Sequence, residues 1–224
     1  MFDAVILAAG NFPTHAIPRS LLDHGRVVCC DSAAERFIQS GRTPWRCIGD
    51  GDSLDEALKE RVKFIQVSEQ EHNDLTKAVR MVRSELGDKA RIAIIGATGR
   101  REDHTMGNIA LLAEYLQMGL NVTMFTDQGI FLPCRGEHEF CAADFFPAGD
   151  SHSSTSLCRH EVSFFNLTCT TLSSEGLRYA AYPFTRLWQG TLNEVVAPTF
   201  RITADGEFLV FLSYSQRKTQ QIVS

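Results

Sequence analysis

The 224-residue sequence has no long hydrophobic run, no excess of positive charge and no paired cysteine motif. Its start, MFDAVILAAGNF, has no basic residue before a short apolar stretch, so we expect neither a signal peptide nor a membrane span. The net charge of -5 argues against a protein built to hold nucleic acid, which needs a basic surface. Seven cysteines without a C-x-x-C pair favour reduced thiols over disulfides or a zinc site. These absences predict a cytoplasmic protein.

The first part of the chain alternates between short apolar runs and stretches with helical spacing. AVIL at 4–7, VVCC at 27–30 and RIAII at 91–95 are typical of buried strands. Two helical stripes of apolar residues lie between such runs: Leu75, Ala78, Val79, Val82 and Leu86, then Met106, Ile109, Ala110, Ala113 and Leu116. Apolar strands that alternate with helices indicate a parallel sheet covered on both faces. We therefore expect residues 1–128 to form a three-layer α/β domain with a mostly parallel sheet.

From about residue 129 onwards the helical spacing disappears and β-type runs replace it. The runs VSFFNL, FRIT and EFLVFLSY are separated by turn signals such as Ser174-Glu175-Gly176 and Ala204-Asp205-Gly206. This pattern predicts an antiparallel β-sandwich over residues 129–224.

The segment CIGDGDSL at 47–54 places Asp50 and Asp52 directly after a predicted strand. Residues i and i+2 of an extended segment point to the same side, so both carboxylates can face one crevice at the carboxyl edge of the sheet. Neighbouring carboxylates raise each other's pKa unless a cation neutralises them, and Mg²⁺ prefers such oxygens. The structural alternative is that both aspartates only shape the turn before a helix capped by Ser53-Leu54-Asp55-Glu56.

Three further stretches place acids or arginines near predicted strand ends. Asp31 ends the VVCC run, and Asp74 begins the helix of EQEHNDLTKAV, where a favourable charge at the helix start is the simpler explanation. In IIGATGRREDHTMGNIALL a glycine-containing loop leads to Arg101 and Asp103 at a helix start, a pattern that suits phosphate. Neither a P-loop nor a G-x-G-x-x-G fingerprint is present. Carboxylates for Mg²⁺ and arginine for a polyphosphate together predict phosphoryl transfer from a nucleotide.

Six segments in order, CCDSAAERF, IGDGDSL, EQEHNDLTKAV, IGATGRREDHTMGNIALL, GLRY and GTLNE, resemble the thiamine pyrophosphokinase family. The resemblance covers nearly the whole chain. It implies an α/β nucleotide-binding catalytic domain followed by a thiamine-binding β-sandwich. It also implies a homodimer with active sites between subunits. The implied reaction is Mg²⁺-dependent transfer of the β,γ-diphosphate of ATP to the hydroxyl of thiamine, which leaves AMP and thiamine diphosphate.

The same resemblance implies roles for individual residues. It implies Mg²⁺ binding by Asp50, Asp52, Asp74 and Asp103. It implies contacts with ATP by Asp31, Gln70, Thr76 and Arg101. The catalytic residues would be Asp74, Arg101 and Asp103, with Asp74 orienting or deprotonating the thiamine hydroxyl. Thiamine would be bound by Tyr179 and Asn193, since an aromatic face favours the cationic thiazolium ring.

The chain also departs from the family pattern at several positions. The usual Asp-Gly-Gly, Lys-Asp-x-Thr-Asp, Gly-Gly-Arg and Ser-Asn-Glu become Asp31-Ser32-Ala33, Asn73-Asp74-Leu75-Thr76-Lys77, Gly99-Arg100-Arg101 and Leu192-Asn193-Glu194. These departures leave open a relative that binds thiamine or nucleotide without turnover. A nucleotidyltransferase is another alternative, since ILAAG at 6–10 resembles the opening of sugar-nucleotide enzymes. However, NFPTHAIP follows it instead of a glycine- and arginine-containing phosphate loop.

Overall fold

A computed structural model describes residues 2–50, 62–67, 69, 71–146 and 156–216 of the chain. The chain forms two compact units, Met1–Asp127 and Gln128–Ser224. All seven cysteines lie in the described part and are free thiols. Within the same part, no helix has the length and apolar character needed to cross a membrane.

The sheet of the first unit contains six parallel strands within the described residues. They are β1 (Ala4–Leu7), β2 (Val27–Cys30), β3 (Arg46–Gly49), β4 (Phe64–Gln66), β5 (Arg91–Ile95) and β6 (Asn121–Phe125). Their order across the sheet is β6-β5-β1-β2-β3-β4. Strand β1 lies at the centre, with Val5 opposite Val27 on one side and Ala93 on the other. Every residue of β1 and β2 is buried, which explains why both strands are continuous apolar runs.

Four helices of the described residues accompany this sheet. They are α1 (Ala16–Ser20), α2 (Ala33–Gln39), α3 (Asp74–Leu86) and α4 (Glu102–Gln117). Helix α3 begins where the side chain of Asn73 accepts a hydrogen bond from the backbone N–H of Thr76, and it ends at Gly87, whose φ is 91°. It packs against β1, β2 and β3 through a buried face that includes Leu75 and Val79.

Helix α4 packs against β6, but its buried face differs from the predicted stripe. Leu112 and Tyr115 are its buried residues, whereas Met106 is 69% exposed and Ala110 is exposed. The predicted stripe is therefore wrong for this helix. The reason is that spacing does not reveal which side of a helix meets the sheet. Helix α4 also contacts α3. The hydroxyl of Tyr115 in α4 lies 2.9 Å from the hydroxyl of Thr76 in α3, and both groups are buried.

The second unit consists of two antiparallel sheets. One has the order β11-β9-β13-β7, formed by Asn193–Glu194, His160–Asn166, Glu207–Gln216 and Gly129–Arg135. The other has the order β10-β12-β8, formed by Leu172–Glu175, Phe200–Ala204 and His138–Phe140. A short helix, α5 (Ala142–Phe145), lies between β8 and β9.

Aromatic rings join the two sheets into a sandwich. Phe164 of β9 meets Phe200 of β12 edge to face at a centroid distance of 5.9 Å, and Phe200 stacks on Phe140 at 4.6 Å. All three side chains are almost fully buried. The predicted fold class, an α/β unit with a parallel sheet and an antiparallel β-sandwich, is confirmed.

The buried hydroxyl pair between α3 and α4 gives a first testable prediction. Tyr115→Phe leaves the Thr76 hydroxyl without its partner in the interior. We expect the free energy of unfolding to fall by roughly 1–2 kcal/mol, measured by urea denaturation of the full chain. Thr76→Val serves as the reciprocal variant. The double variant should lose less than the sum of the two single variants, because both remove the same hydrogen bond. Strictly additive losses would contradict this coupling.

Candidate functional site

A cleft of about 390 Å³ lies at the carboxyl ends of β1, β2 and β5. The strand order changes direction here, because β2 to β4 lie on one side of β1 and β5 and β6 lie on the other. Loops that leave such a point diverge and open a crevice, which is where open α/β sheets bind their ligands. The cleft is lined by the loops after β1 and β5, by the first residue after β2 and by the starts of α3 and α4.

The loops after β1 and β5 meet through a glycine. The backbone N–H of Gly10 donates to the carbonyl of Gly96 at 2.7 Å, and that of Asn11 donates to the carbonyl of Thr98 at 2.9 Å. A Cβ on residue 10 would lie only 2.4 Å from the Gly96 oxygen and 2.6 Å from the Thr98 oxygen. No larger residue fits without moving the backbone, so Gly10 is what allows the two loops to form a continuous wall of the cleft.

Asp31 lies directly after β2, in a conformation that is uncommon for its residue type. Its φ of 42° belongs to the left-handed region, and its backbone N–H donates to the carbonyl of Ile48 at 2.8 Å. One carboxylate oxygen, Oδ1, is buried and has no hydrogen-bond partner within the described structure. Gly49 leaves space for this side chain, since a Cβ there would lie 3.0 Å from the Asp31 Cβ. A strained backbone with an unpartnered buried oxygen is typical of a binding site.

Asp74 is the first residue of α3 and lines the same cleft. Burial is the main cause that raises the pKa of its carboxyl group. The buried ammonium group of Lys77, 3.2 Å from Oδ1, opposes this increase, whereas the negative charges of Asp31 and Asp50 add to it. The structure thus places Asp31 and Asp74 in the cleft, whereas Asp50 is not among its lining residues and is linked to them through its effect on the pKa of Asp74.

Arg101 and Asp103 lie at the start of α4 and pair with each other. The guanidinium of Arg101 donates from Nε to Oδ1 at 3.1 Å and from Nη2 to Oδ2 at 2.6 Å. This pairing lowers the pKa of Asp103, and the backbone N–H of His104 donates to the same carboxylate at 2.9 Å. Arg101 lines the cleft, but Asp103 is not among its lining residues in the described chain. The expected grouping of Asp103 with the other acids is therefore not observed.

Three further predicted residues have different outcomes. Thr76 is buried against Tyr115 and does not line the cleft, so the structure does not bring it to the expected nucleotide site. Asp52 and Gln70 lie outside the described residues. Their proposed contacts with metal and nucleotide stay predictions from the sequence.

Two asparagines that the sequence analysis did not select help to form the cleft. Asn108 donates from Nδ2 to the carbonyl of Ala97 at 2.8 Å, and Asn73 donates from Nδ2 to Oδ1 of Asn108 at 3.3 Å. These bonds connect α3, α4 and the loop after β5. The place of Asn73 just before Asp74 is a recognisable helix-capping signal. Asn108 lies within a helix, where no sequence signal marks its role.

In the second unit, the side chain of Asn193 is hydrogen-bonded to the backbone of Tyr179. The Tyr179 side chain is 61% exposed, whereas Asn193 is only 5% exposed. Asn193 accepts a hydrogen bond from the backbone N–H of Tyr179 at 3.1 Å and donates to its carbonyl at 2.7 Å. Asn193 thus holds the backbone of Tyr179, and its amide is already engaged. Tyr179 belongs to a group of exposed large apolar side chains: Tyr179, Tyr182, Leu187, Trp188, Leu192 and Val196.

Comparisons with known families agree with these two units. The family model described as thiamin pyrophosphokinase, catalytic domain, matches residues 19–124, and the one described as thiamin pyrophosphokinase, substrate-binding domain, matches residues 143–211. The chain belongs to the thiamin pyrophosphokinase family. By this membership it is an enzyme of the thiamine diphosphokinase class. The catalytic-domain match includes Asp31, Asp74 and Arg101 of the cleft.

Solved structures of thiamin pyrophosphokinases share the fold. The Bacillus subtilis structure has 18% identity and a TM-score of 0.72, and the match covers 94% of this chain and 99% of that one. The Candida albicans structure has 19% identity and a TM-score of 0.72, with coverage of 94% and 88%. The yeast structure has 16% identity and a TM-score of 0.73, with coverage of 94% and 85%. A search of curated proteins gave no significant match.

The unpartnered oxygen of Asp31 in this thiamin pyrophosphokinase gives a second prediction. Asp31→Asn removes a negative charge that repels the carboxylate of Asp74. We therefore expect the chain without Mg²⁺ to be at least as stable as wild type, because the substitution removes the repulsion between Asp31 and Asp74. The increase in melting temperature produced by Mg²⁺ with ATP should disappear in the same variant.

Asp23→Asn is the matched control, since Asp23 is an exposed acid of the same unit that pairs with Arg42. This control should keep the ligand-induced increase in melting temperature. The same increase in Asp31→Asn would show that Asp31 takes no part in binding.

Proposed function

We propose that this chain transfers the β,γ-diphosphate of ATP to the hydroxyl of thiamine, and that the reaction requires Mg²⁺. The products are thiamine diphosphate and AMP. The observation that carries this proposal is the buried, unpartnered oxygen of Asp31, which lies in the same cleft as Asp74 at the point where the strand order changes direction.

The residues of the cleft fit a magnesium ion. Hard carboxylate oxygens are its preferred ligands. Asp31 and Asp74 line the cleft, and the charge of Asp50 acts on Asp74 from outside the lining. Lys77 forms an ion pair with Asp74 and Arg101 forms one with Asp103, whereas Oδ1 of Asp31 has no hydrogen-bond partner within the described residues. We therefore assign metal binding to Asp31, Asp50 and Asp74, with Asp52 as a further ligand on sequence grounds. Bound Mg²⁺ would neutralise and orient the phosphate oxygens of ATP.

Arg101 and Asp103 have a joint role in this proposal. Arg101 contributes positive charge to the cleft, where it can bind the transferred diphosphate through its planar donors. Asp103 orients that guanidinium through two hydrogen bonds, which supports a positioning role and replaces the metal-ligand role expected from the sequence. Gln70 is proposed as an additional nucleotide contact. Thr76 is proposed to fix α3 against α4, since its hydroxyl is engaged by Tyr115.

The reaction needs a nucleophile and a place for its proton. The hydroxyl oxygen of thiamine forms a bond to the β-phosphorus of ATP. The bond between this phosphorus and the oxygen bridging to the α-phosphate breaks, and AMP leaves with that oxygen. We assign the hydroxyl proton to a carboxylate oxygen of Asp74. Its raised pKa makes it a better proton acceptor than an ordinary aspartate.

The second unit is proposed to bind thiamine through the exposed ring of Tyr179, which offers a face to the cationic thiazolium. Asn193 acts by holding the Tyr179 backbone. Several large apolar side chains of the second unit are exposed, Tyr179 and Trp188 among them, which supports a homodimer with active sites between subunits because exposed apolar surface favours association. The cytoplasm is the proposed location, consistent with seven free thiols.

The reaction itself provides a third prediction. Purified chain with ATP, Mg²⁺ and thiamine should form AMP and thiamine diphosphate in equal amounts, measured by chromatography. Asp74→Asn should lower kcat by roughly 10²–10⁴ through loss of proton transfer and ligand charge. Asp88→Asn is the matched control, since this exposed acid lies just beyond the other end of α3 and pairs with Arg83.

Each alternative has its own signature in this assay. A nucleotidyltransferase would release pyrophosphate with a sugar phosphate. A non-catalytic relative would bind thiamine or ATP without forming AMP, and Leu192, which is 68% exposed at a φ of 63°, would be the first position to restore to serine. Undiminished turnover by Asp74→Asn would remove Asp74 from the mechanism.

Thiamine recognition provides a fourth prediction. Tyr179→Ala should raise the KM for thiamine roughly tenfold, which corresponds to the loss of one cation–π contact, and leave the KM for ATP unchanged. Tyr179→Phe should retain the wild-type value because the ring remains. Asn193→Ala should act in the same direction as Tyr179→Ala. Tyr182→Ala is the control, because the Tyr182 ring already packs on Phe184 at 4.3 Å. A normal thiamine KM in Tyr179→Ala would refute the assignment.

A further inference from the structure

A second, narrower crevice adjoins the cleft on the other side of the loop after β1. Its volume is about 10 Å³, which is enough for about one oxygen atom of a ligand and not for a whole molecule. It shares residues 8–10 and Arg100 with the cleft. Arg36 of helix α2 lines it from the opposite side. A single ligand could therefore occupy the cleft and place one group in the crevice.

Two arginine side chains line this crevice. Arg36 and Arg100 are both exposed, and neither side chain has an ion pair or hydrogen bond with any residue in the described ranges. Some arginines of the first unit, such as Arg42, Arg46 and Arg101, pair with a carboxylate. What distinguishes Arg36 and Arg100 is that both line the same space. Two arginine side chains without a carboxylate partner thus line one small space, next to the cleft that contains Asp31 and Asp74.

We propose that Arg36 and Arg100 form a phosphate-binding subsite, which takes a phosphoryl group not coordinated to the metal. Guanidinium groups donate pairs of hydrogen bonds in a geometry that matches phosphate oxygens. The carboxylates of Asp31 and Asp74 repel an anion that brings no metal ion, so such an anion is favoured on the arginine side. The crevice size agrees, because only the outer oxygens of a phosphoryl group need to enter it.

This inference rests on the proposed function for the source of its ligand. The phosphoryl group is either the monophosphate end of the donor nucleotide or a free diphosphate. Arg100 stands where the family pattern in the sequence analysis has a glycine, so this part of the subsite is a feature of this chain.

The test is a calorimetric titration of the full chain with AMP and, separately, with inorganic pyrophosphate, both without Mg²⁺. Wild type is compared with Arg36→Gln and Arg100→Gln. The matched control is Arg19→Gln, which removes the same charge from an exposed arginine of the same unit that lines neither space. We expect each crevice variant to bind roughly tenfold more weakly, and the control to match wild type. Melting temperatures of all four proteins should agree.

The two titrations distinguish the sources of the phosphoryl group. If the crevice variants bind only AMP more weakly, the ligand is the donor nucleotide. If they bind only pyrophosphate more weakly, the ligand is free diphosphate. Either outcome supports the subsite. No binding by wild type, or equal affinities in all four proteins, overturns it. Because the titrations need neither thiamine nor turnover, the subsite can stand if no thiamine diphosphate is formed. Equally, the proposed function can stand if the subsite fails.

Discussion

Repulsion between carboxylates at one edge of the parallel sheet is the constraint on which the site depends. Asp31, Asp50 and Asp74 follow or lie near strand ends that the fold brings together, and the charges of Asp31 and Asp50 add to the effect of burial in raising the pKa of Asp74. Lys77 relieves part of this repulsion from within the protein. The remaining negative charge is what gives the cleft an affinity for a cation. A site whose carboxylates were all neutralised within the protein would be more stable and would bind a cation more weakly.

The rest of the cleft is arranged so that this group of acids keeps a fixed geometry. Gly10 allows two loops to touch, and Gly49 leaves space for the Asp31 side chain. Asn73 and Asn108 connect two helices with the loop after β5. In the second unit Asn193 similarly fixes the backbone of Tyr179. Glycines that leave space and asparagine amides that are already hydrogen-bonded thus fix the positions of the residues proposed to bind ligands. None of these supporting residues is charged.

Much of the fold and part of the site could be predicted from the sequence. Buried parallel strands are continuous apolar runs, so β1, β2 and β5 were recognisable, and acids at their carboxyl ends were expected to share an edge. Pairings that depend on tertiary contacts were not predictable. Thr76 fits a polar binding motif in sequence, but Tyr115, 39 positions later, engages its hydroxyl. Asp103 fits a metal-ligand pattern, but Arg101 occupies both of its oxygens. Spacing identified α4 as a helix and could not identify its buried face.

The central position of β1 also has a consequence for how the chain folds. One partner of this strand, β2, follows within about 20 residues, whereas the other, β5, begins only at Arg91. During synthesis the β5 side of β1 therefore stays an open sheet edge until nearly half of the chain has emerged from the ribosome. Contacts between such distant segments slow folding and leave the exposed edge open to pairing with other chains. The loops that form the cleft, which follow these same two strands, can meet only after that final pairing.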